Sequence, residues 1–480
     1  MVWQPVLDAG FLLIEVRSAS LGSEALMKTS SPRTPQLNSK LPLNSKFQLA
    51  IAAVAAFSTY FCMYAFRKPF TAATYEDYPA FEFGFLTIAG GPLIALGLKT
   101  MLVISQLMGY MLSKVIGIKV VSEMQTRNRA GTIIVLILFA ELALVGFAFV
   151  PLGWKPIMLF LNGLPLGMVF GLVMSYLEGR RHTEAMSAVL CASFIMSSGA
   201  VKSIGQWLIQ DMGINEFQMP MVTGFLFLPP LLVAVWVLQK TPRPDSSDLR
   251  ERSERKAMDR AARWSFFTAF WPGLCLILLV YMAITLLRTV RDDFGVELWR
   301  DMGVTEEPWG YATSEFIVAI CVTALNAGAI WISHNLTALR ATLGMMCGAF
   351  VLIGASAAMQ SIGWLGPLSF MIACGIGLYL PYVAFHTTVF ERLVAASGRP
   401  ANMGFLLYVA DSLGYLGYGV VLVARNSVGN SSEVLPYFLQ LLVVIAILSF
   451  VALLLALMYF QRVLVQKVDP LEHDHEETVA

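Results

Sequence analysis

The stretch YAFRKPF, residues Tyr64 to Phe70, decides how this sequence is interpreted. It ends an almost uninterrupted apolar run from Phe47 to Phe66, which matches the roughly 20 apolar residues that a helix needs to cross a bilayer. A basic pair at the end of such a helix has two interpretations. Arg67 and Lys68 are either an anchor at the membrane surface or part of an anion-binding site, and the rest of the sequence has to distinguish them.

Composition identifies an integral membrane protein. Of the 480 residues, 57% are hydrophobic and 14% are charged, against about 25% charged in an ordinary soluble domain. Mean hydropathy is +0.67. The net charge of +1 gives no basis for nucleic-acid binding. The six cysteines are single, with no CxxC pair and no metal-ligand spacing, so we expect neither a disulfide framework nor a metal or cofactor.

Twelve apolar segments of membrane-spanning length follow one another along the chain. The predicted spans are 47–70, 99–119, 130–151, 155–178, 184–210, 219–239, 268–290, 309–332, 340–359, 365–391, 402–424 and 435–460. A further apolar stretch, Phe85 to Leu98, is short and broken by Gly90, Gly91 and Pro92. We interpret it as a re-entrant or interfacial loop, so that the fold class is all-α with twelve transmembrane helices.

A polar, charge-dense segment divides these spans into six plus six. The predicted organisation is a disordered segment 1–46, with Met27 as an alternative start, a six-helix half 47–239, a charged linker 240–265, a second six-helix half 266–462 and a disordered tail 463–480. Basic residues gather in the loops after even-numbered spans, whereas loops 211–218 and 360–364 have no Lys or Arg. The positive-inside rule therefore predicts that both termini and the linker are cytoplasmic.

The two halves repeat each other at their first spans. YAFRKPF is echoed by LLRTVRDDF, residues Leu286 to Phe294, which places Arg67 and Arg288 at corresponding depths of corresponding helices. This repetition favours a functional site over a surface anchor. Two halves related by an axis along the membrane normal, with the site between them, are typical of one large transporter architecture.

The pattern resembles the major facilitator superfamily, and within it the organophosphate:phosphate antiporter branch. Tyr64-x-x-Arg67-Lys68-x-Phe70 resembles the Y-x-x-R-K-x-F motif of that branch, whose arginine binds the substrate phosphate. GYMLSKVIG, with Lys114, resembles its second-span motif, and Leu286-Leu287-Arg288 with Asp293 resembles its seventh-span motif. The resemblance implies a major facilitator fold in a bacterial inner (plasma) membrane, a small phosphorylated solute, and Tyr64, Arg67, Lys114 and Arg288 as substrate-binding residues.

Two departures from that branch concern the substrate. Cys191-Ala192-Ser193 stands where the branch commonly has a histidine, and the acidic-basic signature after the second span is degraded. The sequence also resembles an uncharacterised bacterial subgroup of the superfamily.

The remaining intramembrane charges sort by depth. A charge at the bilayer centre costs roughly 2.5 to 3.5 kcal/mol on the insertion scale, so such residues need a partner or a polar cavity. Superfamily architecture packs the second span against the eleventh, and the fifth against the eighth. We therefore expect two gates, Lys114 with Asp411 on the cytoplasmic side and Lys202 with Glu315 on the outer side. The resemblance adds Lys68 with Asp293 to the outer set. The alternative is that each charge is satisfied within its own half.

His386, in AFHTTVF, is a candidate proton carrier, although a lone histidine on a helix is more often packed and hydrogen-bonded. We expect alternating access around a central site in which Arg67 and Arg288 bind an anion, with exchange for phosphate. No GxxxxGK[ST] loop or nucleophile–base constellation points to an enzyme. The expected partners are a small anionic solute and the lipid bilayer, with the protein acting as a monomer.

Two alternatives stay open. A proton-coupled symporter of a small carboxylate would use the same arginines, with Glu315 or Asp411 titrating. A sensor or assembly protein that kept the transporter fold without transport is the second.

Overall fold

The computed structural model describes residues 43–82, 87–88, 91–92, 95–124, 128–177, 183–241, 260–305, 308–330, 332–398, 403–428 and 434–465. Most of the predicted disordered N-terminal segment (1–42), most of the charged linker (242–259) and most of the tail (466–480) lie outside these residues.

Every predicted span coincides with a long helix. The helices are α1 (Leu43–Arg67), α2 (Leu98–Glu123), α3 (Arg129–Phe149), α4 (Lys155–Leu177), α5 (Thr183–Gln210), α6 (Met219–Lys240), α7 (Arg260–Asp293), α8 (Gly310–Ile330), α9 (Asn335–Ser361), α10 (Pro367–Ser397), α11 (Met403–Val428) and α12 (Val434–Val465). Ten of them, counted over the described residues, are long and apolar enough to cross a membrane. The predicted all-α membrane fold is confirmed.

The end of α1 brings the basic pair inside the protein. Pro69 has no N–H to continue the helix, so α1 ends at Arg67 and the chain turns through a short 3₁₀ helix, Pro69–Ala72. Arg67 and Lys68 are only 8% and 4% exposed. Both side chains are therefore enclosed by protein, which excludes the interpretation of this pair as a membrane-surface anchor.

The stretch between α1 and α2 is extended in its described residues. Strand β1 (Phe81–Glu82) pairs antiparallel with β4 (Ala95–Leu96), and β2 (Thr87–Ile88) pairs with β3 (Gly91–Pro92). Where the structure describes the predicted re-entrant or interfacial loop, the backbone forms these two short antiparallel ladders, which satisfy hydrogen-bonding groups of the extended chain.

Glycines let helices of the first half approach closely. A Cβ at Gly109 of α2 would lie 2.1 Å from Phe160 O of α4, and one at Gly163 of α4 would lie 2.3 Å from Gln106 O. The backbones of α2 and α4 therefore touch at this crossing.

The two halves meet through helices that the superfamily resemblance had paired. α5 packs on α8, where a Cβ at Gly199 would lie 2.5 Å from Tyr311 O, and α2 packs on α11, where the rings of Tyr110 and Tyr415 meet edge to face. The space between these contacts holds the candidate site.

Helix α10 is irregular beside that space. Its α-helical part ends at Ala384, a π turn follows at Phe385–Val389, and α-helix resumes at Phe390. Pro381, which lacks an N–H, lies just before the turn. Such π turns are frequent at functional sites, and this one carries His386.

Candidate anion-binding site

A cavity lies between the two halves. It contains all the predicted substrate-binding residues, together with Asp411, His386 and further aromatic side chains. Its lining is Tyr60, Tyr64, Arg67, Tyr110, Lys114, Phe170, Phe194, Arg288, Tyr382, His386, Asp411 and Tyr415. Tyrosines make up five of these twelve residues, so hydroxyl groups and ring faces surround the charged side chains.

The two arginines of the cavity are held by rings rather than by carboxylates. The guanidinium carbon of Arg67 lies 3.9 Å from the ring centre of Tyr110, and that of Arg288 lies 4.3 Å from the ring centre of Tyr382. Neither guanidinium has a carboxylate partner among the described residues, and the Nε of each has no hydrogen-bond partner there. Cation–π contacts orient these side chains but leave their fork of N–H donors available.

Five other cations of the bundle have a carboxylate within 2.8 Å: Lys68, Lys99, Lys114, Lys202 and Arg291. Lys155, which is 5% exposed, has no carboxylate partner among the described residues either, and its ammonium donates to Phe147 O at 2.7 Å. Arg67 and Arg288 thus differ from these five cations, since a buried charge without a counter-ion is costly and is relieved when an anion binds.

Lys114 and Asp411 are brought together as the sequence predicted. The ammonium of Lys114 donates to Oδ2 of Asp411, and the hydroxyl of Tyr281 donates to Oδ1. The ammonium also lies 4.8 Å from the ring centre of Tyr415. The contact joins α2 to α11 across the two halves; its role as a gate stays a prediction.

His386 extends this group. Its Nδ1 lies 2.9 Å from Tyr382 O, a carbonyl that can only accept, so Nδ1 carries the hydrogen. Its Nε2 lies 3.5 Å from the Tyr281 hydroxyl. A second proton on Nε2 would be donated toward Tyr281, so the Tyr281 phenol links two residues of the cavity lining, His386 and Asp411.

A second group of charges, the ion-pair cluster, lies at the end of the bundle where α1, α5 and α7 end and α2 and α8 begin. Its members are Lys68, Lys99, Lys202, Arg291, Asp292, Asp293, Glu297 and Glu315. Lys68 pairs with Asp293, as the resemblance implied, and also with Asp292 at 2.8 Å.

The predicted pair of Lys202 with Glu315 is not formed. Lys202 binds Asp292 at 2.7 Å, whereas Glu315 accepts from Arg291 at 2.6 Å. The reason is the rotation of about 100° per residue along the last turn of α7. Arg291 points into its own half, where it also donates to Met371 O at 2.8 Å, and the next residue, Asp292, points to the other half.

Sequence reasoning missed four members of this cluster. Arg291 and Asp292 stand in the quoted RDD run, but the family motif directed attention to Asp293 alone. Lys99 and Glu297 form a pair, with oxygens 2.5 and 2.7 Å from the ammonium. In the sequence, Lys99 and Glu297 are single charges near the ends of apolar segments. Charged residues at the membrane interface show the same pattern, so the sequence does not distinguish the two cases.

Comparison with solved structures identifies the fold. The crystal structure of a D-xylose-proton symporter aligns with a TM-score of 0.53 and 12% sequence identity, over 85% of this chain and 97% of that chain. At this identity the similarity shows the fold alone: the helices of this chain are arranged as in that symporter. No curated protein matches this chain.

One family model covers most of the sequence. It is described as a family of unknown function, DUF5690, and it matches residues 69–463, which begin just after α1 and end in the last turn of α12. The protein therefore belongs to the DUF5690 family.

Proposed function

We propose that this protein is a secondary transporter that moves a small phosphorylated anion by alternating access, in exchange for phosphate. The observation that carries the proposal is the pair of buried guanidiniums, Arg67 and Arg288, that line one cavity between the halves without carboxylate partners among the described residues. Each comes from the first helix of its half, so a solute bound by both would connect the halves.

The charge of the site favours a dianion. Lys114 is neutralised by Asp411, which leaves two uncompensated positive charges in the cavity. A guanidinium matches phosphate with two parallel N–H bonds and stays charged at any physiological pH. Two such groups repel each other when the site is empty and are held by a shared dianion. Loading therefore favours the compact state through which the site changes sides, and a carrier that moves mainly when loaded performs exchange.

The two charged groups on either side of the cavity fit this cycle. The ion-pair cluster joins the halves at one end and Lys114 with Asp411 joins them on the other side of the site. We place the protein in a bacterial inner membrane as a monomer, with both termini cytoplasmic, so that the ion-pair cluster is the outer gate. Its role is transport rather than catalysis.

The first test is ligand-dependent thermal stabilisation of the purified protein. Phosphate, glycerol phosphate, sugar phosphates and dicarboxylates are compared on the wild type, Arg67→Ala and Arg288→Ala. Arg300→Ala is the matched control, because Arg300 pairs with Glu76 at 2.6 Å outside the cavity. We expect a phosphate compound to stabilise the wild type and the control but neither cavity variant. Shifts that survive both cavity substitutions would refute the proposed site.

Transport is then measured in proteoliposomes. We expect uptake of labelled phosphate only when the lumen contains phosphate or the stabilising compound. Binding without flux would show a sensor with a transporter fold.

A proton-coupled symporter of a small carboxylate is the second candidate. The contacts that link His386 through Tyr281 to Asp411 favour it, because these groups can pass a proton to the ion pair of Asp411 with Lys114. Uptake driven by an imposed pH gradient, and lost in His386→Gln, would identify this function in place of exchange.

A further inference from the structure

The end of α1 lies in the interior of the bundle, beside the cavity. A helix end leaves carbonyl groups without backbone donors and carries the negative end of the helix dipole, about half an elementary charge. Here the Thr71 N–H, which a continued helix would give to Arg67 O, is donated to Lys68 O at 3.0 Å. An uncapped helix end would repel an anion that binds at Arg67.

Two buried amides supply the missing donors. Gln106 Nε2 of α2 donates to Arg67 O at 2.6 Å, and Asn162 Nδ2 of α4 donates to Phe66 O at 2.9 Å. The amides are also bonded to each other, with Gln106 Nε2 2.8 Å from Asn162 Oδ1. Gln106 is 7% exposed and Asn162 is completely buried.

The packing of α2 on α4 fixes these amides in place. Gly163 follows Asn162 directly, and a Cβ there would lie 2.3 Å from Gln106 O, so the two helices touch at the residues that carry the amides. Asn162 Nδ2 also donates to Ala140 O of α3 at 3.0 Å, which ties the amide to a third helix. The donors are thus held by three helices before any solute binds.

Without these donors, Arg67 itself is a candidate donor to the free carbonyls, since arginine side chains near a helix C-terminus can bond the last carbonyls of the helix. A guanidinium used in that way turns from the cavity and loses part of its fork for the anion.

We propose that Gln106 and Asn162 are positioning residues for anion binding at Arg67: they cap the C-terminal carbonyls of α1 so that the guanidinium faces the cavity. This inference rests on the proposed anion site and adds two residues to it that lie outside the cavity lining.

The test compares two matched substitutions. Gln106→Met keeps the length of the side chain and removes its donors. Gln206→Met makes the same change at a glutamine of equal exposure, 7%, whose Nε2 donates to Ala72 O at the end of the 3₁₀ helix and not at Arg67. We expect Gln106→Met to weaken phosphate binding by about 5- to 100-fold, the effect of leaving a buried carbonyl unpaired, with Asn162→Leu acting in the same direction. Gln206→Met should bind phosphate as the wild type does.

A mutant cycle separates positioning from general loosening of the fold. Gln106→Met is combined with Arg67→Lys and, separately, with Arg288→Lys, and the phosphate dissociation constant is measured by calorimetry. We expect strong non-additivity with Arg67→Lys and additivity with Arg288→Lys. Equal coupling to both arginines, or equal losses in Gln106→Met and Gln206→Met, would overturn the inference.

The two proposals fail in different ways. A wild type that binds no phosphate refutes the proposed exchange and this inference with it. A wild type that binds phosphate, alongside a Gln106→Met variant of unchanged affinity, refutes the positioning role and leaves the anion site standing.

Discussion

Arg67 and Arg288 cannot be replaced by lysine without loss if the solute is held by two parallel N–H bonds. Lysine keeps the charge but offers a single compact ammonium. We expect Arg67→Lys and Arg288→Lys each to weaken phosphate binding by about 10- to 100-fold, the effect of one hydrogen bond to a charged group. Titration calorimetry measures this, with Arg300→Lys as the control outside the cavity. Unchanged affinity in both cavity variants would show that the fork geometry is not used.

Lys114 and Asp411 give a second residue-level prediction. This ion pair is partly buried, so removing one member is destabilising because the other charge is left without its partner. Lys114→Asp and Asp411→Lys should each lower the melting temperature and abolish exchange, whereas the double reversal should recover the melting temperature and part of the exchange. Double-variant stability no better than that of the single variants would mean that the contact does not join the halves.

The charged pairs were predicted from two kinds of information, helix packing and a family motif, and neither gives the direction in which a side chain points. Lys114 with Asp411 follows from the helix packing of a known fold, and Lys68 with Asp293 follows from the resemblance to the antiporter branch. The structure brings both pairs together. The prediction of a Lys202–Glu315 pair was wrong because Asp292 and Arg291 of α7 take these two partners. Which of two neighbouring residues faces the other half depends on the rotation of α7 about its axis, and sequence spacing does not give that rotation. The tyrosine contacts of the two arginines were likewise outside the reach of sequence patterns, since a ring in a membrane helix packs more often than it binds.

At the scale of elements, the crossing of α3 and α6 depends on one glycine. A Cβ at Gly224 would lie 1.9 Å from Oε2 of Glu141, a buried carboxyl whose oxygens have no hydrogen-bond partner among the described residues. Gly224→Ala should lower stability by about 1–3 kcal/mol through overpacking. Adding Glu141→Ala should recover most of the loss, as measured by thermal unfolding in detergent.

The crossing of α2 and α4 supplies the contrasting case. A Cβ at Gly109 meets Phe160 O, a backbone atom, at 2.1 Å. Gly109→Ala should therefore be more damaging than Gly224→Ala, and no truncation of a facing side chain should restore it. A mild Gly109→Ala phenotype would contradict the close backbone contact of these two helices.

The sequence predicts that each of these helices exists, but it does not predict the residues at which they begin and end. Apolar runs mark the central part of each helix, so each of the twelve predicted spans coincides with a helix, and ten of these helices are long and apolar enough to cross a membrane over the described residues. α7 begins at Arg260, eight residues before the predicted span. Its first two turns are partly polar and precede the apolar run, so the apolar run alone does not mark the start of the helix. The antiparallel ladders between α1 and α2 involve only two residues a strand, too few for a periodic pattern.

For the whole molecule, the proposed transport cycle predicts that the ion-pair cluster controls whether one end of the bundle opens. Asp292 accepts from Lys68 and Lys202, both in the other half, and from the hydroxyl of Ser198. Asp292→Asn removes the charge that both lysines share, so the open state should become more populated. We expect faster maleimide labelling of Ser198→Cys in a variant whose six native cysteines, all free, are replaced.

The matched control for that experiment is Arg300→Gln. It breaks the exposed pair with Glu76 and leaves Asp292 in place. Labelling of Ser198→Cys that is equal in the Asp292→Asn and Arg300→Gln backgrounds would contradict a gating role for the cluster.

The contacts that join the halves in the cluster involve three lysines from one half, Lys68, Lys99 and Lys202, and three carboxylates from the other, Asp292, Asp293 and Glu297. The closed end is therefore electrically neutral, and opening it exposes three charges of each sign at once. Dissolved ions screen separated charges and leave buried pairs almost untouched, so they lower the energy of the open state alone. In the proposed transport cycle, turnover should then follow the ionic strength of the medium at that end of the bundle.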